Sequence, residues 1–226
     1  MRDHTRLAVL VPCLLPAAMA LIFWVAPTEA TMGEVQKILY LHVSVAWCGL
    51  AGCLGMGACG AMYLARRRTA WDHVAQASAE IGWLCSTLTL VTGSLWAHEA
   101  WGVWWTWEPR LTSSFVLWLI YAGIFLVRAG IDDPHRRART GALLSVMAVC
   151  DVPLVVVATR WFRGVHPVTP DMDPRMRAVL LATVAGFTGF FVMLTLLRCR
   201  QLRAADRVAE LEADLDVDYG FSGERA

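Results

Sequence analysis

Five of the chain's 11 tryptophans fall within twelve positions: Trp96, Trp101, Trp104, Trp105 and Trp107. Four of them belong to one ordered string, Trp101-Gly102-Val103-Trp104-Trp105-Thr106-Trp107-Glu108-Pro109-Arg110-Leu111-Thr112. Two readings fit such a cluster. Indoles gather at the boundary between membrane and water as an aromatic belt. A cluster this dense also makes a flat apolar platform, suited to a large planar ligand held by stacking and area burial.

Histidines narrow the chemistry. Of six, His4, His73 and His135 lie among arginine-rich segments and read as solvated loop residues. His42, His98 and His166 fall on the side of the tryptophan string. His42 stands at the start of an apolar run, His98 opens the tryptophan loop, and His166 follows Trp161-Phe162-Arg163-Gly164-Val165. An imidazole is a good axial donor to heme iron, and a pair can fill both axial positions. Propionates would need cations, which Arg110, Arg160 and Arg163 can supply from the same side. His42 and His166 are the candidate ligands, with His98 a supporting neighbour. A single histidine at a helix end is more often an interface residue.

These groups must be positioned by a greasy framework. The chain has 226 residues, is 57% hydrophobic and only 17% charged, and its mean hydropathy is +0.50. Soluble domains carry roughly a quarter charged residues, so a soluble enzyme of this length is excluded, as is a disordered chain. A net charge of +1 leaves no basic surplus for nucleic acid. The predicted fold is an all-α integral membrane bundle of six helices. The apolar runs are 7–26, 39–64, 81–96, 111–127, 141–158 and 178–197, each near the ~20 residues that span a bilayer. The first reads as a retained helix, because no clear cleavage site follows it.

Fourteen of the twenty basic residues fall in the segments around 2–6, 66–68, 128–139 and from 198 onward. Positive charge marks cytoplasmic loops, so both termini are expected in the cytoplasm and loops 27–38, 97–110 and 159–177 outside. Residues 1–200 form the membrane domain and 201–226 an acidic cytoplasmic tail. In that tail, Leu202, Val208, Leu211 and Leu215 keep helical spacing before a frayed end. Gly49, Cys53, Gly57 and Ala61 make a small-residue stripe, read as a packing face. Asp151 within an apolar run reads either as a polar contact for bundle or cofactor, or as a residue that only supports packing near Pro153. The seven cysteines include no CxxC and no CxxCH, which argues against zinc, thioredoxin-type chemistry and covalent heme attachment.

The string Trp101–Thr112, continued by Ser113, resembles the tryptophan-rich WWD signature of cytochrome c biogenesis proteins, a superfamily with CcmC, CcmF and CcsA types. Tyr40-Leu41-His42-Val43, Leu90-Val91-Thr92-Gly93-Ser94, Arg110-Leu111-Thr112-Ser113 and the stretch from Val152-Pro153 to His166 resemble the CcmC type in particular. The likeness covers roughly residues 35–195. The sequence departs from the family pattern in carrying Glu108 for the usual Asp, Ser44 where Pro is common, and Asp151 for an uncharged polar residue. Pro167 restricts His166 to extended geometry.

The resemblance implies heme b, bound transiently and without a covalent link at the outer face of the bacterial inner membrane. His42 and His166 correspond to its axial ligands. Trp101, Trp104, Trp105 and Trp107 correspond to its platform, with Glu108, Arg110 and Arg163 as polar members. The implied role is delivery to a heme chaperone of the CcmE type, without catalysis. The implied partners are a CcmA/CcmB-type ABC transporter and a small CcmD-type membrane subunit. A CcsA-type heme lyase and a bis-histidine electron-transfer cytochrome are the alternatives.

Overall fold

The computed structural model describes residues 13–161 and 172–223, with side chains at all of these but 159, 160 and 216–223. The described chain is helical. The helices are α1 (Cys13–Val25), α2 (Lys37–Arg66), α3 (Thr69–Trp101), α4 (Pro109–Ala129), α5 (Pro134–Ala148), α6 (Asp151–Trp161) and α7 (Pro174–Gly223). Among the described residues, four stretches are long and apolar enough to cross a membrane: Glu34–Arg66, Pro109–Ala129, Pro134–Ala158 and Pro174–Leu215. The protein is an all-α membrane protein of several spans, and its helices fall where the six apolar runs predict them.

Two elements differ from the sequence expectation. The run 81–96 is the middle of α3, whose 33 residues extend about 50 Å at 1.5 Å per residue. Its hydropathy stays below that of the four apolar stretches because hydroxyls are interspersed along it, among them Ser86, Thr87, Thr89, Thr92 and Ser94. Thr87, Thr89 and Thr92 each donate to the carbonyl four residues back, which satisfies these groups inside the helix itself. The fifth run is broken into α5 and α6. Pro153 has no N–H and its ring crowds the carbonyl of Val149, so the chain turns at Val149 and Cys150 before resuming at Asp151. Asp151 is buried at that restart.

Of the small-residue stripe of α2, Gly49, Cys53 and Gly57 are buried as expected, while Ala61 is exposed and Gly52, outside the stripe, makes the closest backbone approach. At Gly52 an added Cβ would meet the Cα of Gly82 at 2.7 Å. Tyr121 of α4 fills the crossing and donates to the Gly49 carbonyl at 2.9 Å. Gly57 faces Val149 at the α5–α6 turn. A core of Cys53, Met56, Leu117, Tyr121, Ile124 and Val152 forms around this junction. All seven cysteines are free.

The two ends of the bundle are chemically distinct. At one end, Arg128 of α4 makes a two-toothed bond to Asp72 of α3, 2.8 and 3.0 Å, and a third bond to Gln76. Arg198 of α7 bonds Glu80 of α3, and His73 meets Asp206. Arg66, Arg67 and Arg68 close the same end. At the other end Ile22, Leu39, Tyr40, Trp96, Met176 and Val179 form an apolar cluster. The tail is not frayed where it is described: α7 continues to Gly223. The stretch 199–215 consists mostly of good helix formers, with no Gly or Pro before Gly220.

Candidate functional site

His42 does not open its helix. A turn at Glu34–Gln36 leads into α2 at Lys37, so the imidazole sits more than one full turn inside, facing α3. Its Nδ1 lies 3.1 Å from the Thr92 hydroxyl. A Cβ at Gly93 would come within 2.8 Å of its Cε1, so only glycine admits the ring this close. In the sequence both neighbours appear only within the family-like string Leu90–Ser94, and their contact with His42 is not legible there, because it depends on how α2 and α3 cross.

The connection that carries the tryptophans is shorter than expected. Helix α3 runs on to Trp101, and Gly102 ends it in the left-handed region at φ 71°, a conformation glycine adopts without cost. Residues 102–108 remain as the connection to α4. Pro109 opens α4 at a position where a missing N–H does no harm. Ser94 reaches across to donate to the Trp104 carbonyl at 2.7 Å.

The five indoles do not make one flat surface, which corrects the platform drawn from sequence. Trp96 is buried and meets Trp101 edge-on, with centroids 5.0 Å apart. Trp105 meets Trp107 at 78° and Phe115 at 74°. Trp104 and Trp107 are exposed at 56% and 74%. The physical reason is helical phase. Trp96 and Trp101 lie on α3 and follow its inward face, while the later three leave an extended segment in different directions. His98 is in the last turns of α3 and stacks on Trp104, 4.0 Å between centroids.

Two spaces adjoin these rings. An inner cavity of about 90 Å³ lies between α2, α3 and α4, walled by His42, Gly93, Trp101, Trp105 and Arg110. An open groove of about 530 Å³ runs along the outside of α3, walled by Leu90, Leu95, Trp104, Trp105, Trp107 and Phe115. Leu90, Ser94 and Trp105 line both, so one wall separates them. Ligand clefts usually run ~300–1,000 Å³. The open groove falls within that range, and the inner cavity presents the imidazole. Glu108 is half-buried where the connection enters α4. His166 and Arg163 lie outside the described residues, as does the side chain of Arg160. Phe115, absent from the sequence-based site, joins it because helix α4 carries the ring under Trp105 and Trp107.

Fold and site together define a multi-pass helical membrane protein with an imidazole and an indole-walled groove at its less basic end. The chain belongs to the CcmC family, heme exporter protein C, which matches residues 3–214. It is 32% identical to the heme exporter protein C of Bradyrhizobium diazoefficiens over 212 residues, covering 88% of this chain and 78% of the relative. It is 33% identical to that of Rhodobacter capsulatus over 198 residues, with 84% and 82% covered. The Escherichia coli K12 protein of the same name is 31% identical over 184 residues, with 80% and 75% covered.

Proposed function

We propose that this protein carries heme b without a covalent link at the outer face of the bacterial inner membrane and hands it to a CcmE-type chaperone for cytochrome c maturation. The observation that carries the proposal is the shared wall. Trp105 belongs both to the cavity that holds His42 and to the open groove. The relatives' name, heme exporter protein C, supports the same reading.

In this reading His42 and His166 are the axial donors and Trp101, Trp104, Trp105 and Trp107 contact the ring. Arg110, in the wall beside His42, and Arg163 neutralise propionates, and Glu108 sets the polar edge of the connection. Bound iron supplies only a coordination point. The protein's part is to orient an imidazole, cover an apolar face and release the cargo. Two neutral imidazoles with no thioether suit release, because no covalent bond must be broken. The protein performs no chemical turnover of its own.

The partners are a CcmA/CcmB-type ABC transporter and a CcmD-type small subunit. Both termini face the cytoplasm, because the arginine-rich end of the bundle is the positive-inside end. The test is a heme spectrum of protein purified in detergent. A Soret band is expected, weakened or shifted by His42→Ala and by His166→Ala. An unaltered spectrum with normal cytochrome c maturation in the double variant overturns the assignment.

A further inference from the structure

We infer that Thr92 fixes the tautomer of His42, holding the proton on Nδ1 so that the lone pair lies on Nε2. This rests on the reading of His42 as a heme ligand. Thr92 is buried, and its hydroxyl lies 2.7 Å from the Leu88 carbonyl and 3.1 Å from His42 Nδ1. A threonine hydroxyl has one proton to give. The 2.7 Å contact is at the usual length for O–H···O, while 3.1 Å fits an N–H···O bond. The proton therefore goes to Leu88, and the oxygen accepts from the ring.

The same arrangement occurs twice more in this bundle, where its direction is unambiguous. Trp118 Nε1 donates to Thr87, which donates to the Trp83 carbonyl. Trp47 Nε1 donates to Thr188, which donates to the Val184 carbonyl. An indole N–H can only donate, so in both cases the threonine accepts from a ring on the neighbouring helix and passes its own proton back four residues. His42 and Thr92 repeat this arrangement with an imidazole in place of the indole. Gly93 makes it possible by letting the ring lie against the α3 backbone.

The consequence is a positioned ligand. An imidazole whose Nδ1–H is held by an acceptor keeps one ring orientation and is a more basic donor through its other nitrogen. Thr92 is thus a positioning residue that touches His42 and acts through it.

Two measurements test this. In ¹⁵N NMR of the heme-free protein, assigned through loss of one imidazole in His42→Gln, the His42 ring is expected as the Nδ1–H tautomer. Thr92→Val should redistribute the two tautomers, and Thr92→Ser should keep the original one. In the heme-loaded protein, Thr92→Val should raise the reduction potential and weaken heme retention about tenfold, with Thr92→Ser restoring both. An Nε2–H tautomer in the unmodified protein, or an unchanged potential and tautomer in Thr92→Val, overturns the inference while leaving His42 a ligand. Failure of the reading it rests on looks different: no Soret change in His42→Ala, with the tautomer still set by Thr92.

Discussion

Ser94 donates a 2.7 Å hydrogen bond to the carbonyl of Trp104, ten residues further along the chain. The last turns of α3 thereby hold the connection that follows them. Ser94→Ala removes the donor from a carbonyl near the surface, a loss of about 1 kcal/mol. The expected result is faster proteolytic cleavage within residues 102–108 and faster heme dissociation, with the unfolding temperature of the bundle almost unchanged. Cleavage at the original rate would show that the bond does not restrain the connection.

Gly93 and His42 provide a second, more local test. Gly93→Ala places a Cβ 2.8 Å from His42 Cε1, and overpacking of this kind costs about 1–3 kcal/mol. The imidazole must move, so the Soret band should shift along with the loss of stability in a thermal melt. Gly123→Ala is the control: nothing lies within 4 Å of its added Cβ, so it should be neutral or slightly stabilising.

The exposed indoles should separate binding from stability. Trp104 and Trp107 are more than half exposed, and surface truncations usually change stability by within ~0.5 kcal/mol. Trp104→Ala with Trp107→Ala is expected to melt like the parent protein yet load a CcmE-type chaperone poorly. Normal chaperone loading would remove the groove from the function.

At the opposite end, Arg128 and Asp72 are both largely buried and bonded at two points. Arg128→Leu strands the Asp72 carboxylate and should destabilise by about 3–5 kcal/mol in detergent melts. Adding Asp72→Leu should recover much of that loss, because the cost lies in the uncompensated charge rather than in the missing pair.

The helices were legible because apolar runs of membrane length have few other uses, and the packing face of α2 was legible in part, because small residues at four-residue steps mark close packing but do not show that Gly52 and Gly60 join it and Ala61 does not. The break before Asp151 was only hinted at by Pro153, since a proline in a membrane helix can kink or interrupt it. The tryptophan string located the site but misjudged its shape. Residue spacing records which rings are near one another in sequence, whereas the angle between Trp105 and Trp107 depends on backbone dihedrals beyond α3. Thr92, Gly93 and Ser94 were visible only as part of a family likeness. Their roles arise from the crossing of α2 and α3, which brings residues fifty positions apart together. Phe115 and the bonds of Arg128 depend on the same kind of distant meeting.

The polarity of the bundle has a mechanical side. Charge-assisted bonds from Arg128 and Arg198 bolt α3, α4 and α7 together at one extremity, while around Trp96 at the other the described contacts are apolar packing and hydrogen bonds such as those of His42 with Thr92 and Ser94 with Trp104. Deformation in such an object concentrates where directional bonds are fewest. The charged extremity is the stiff handle of a fork, and the tines are the helix ends that carry the tryptophans.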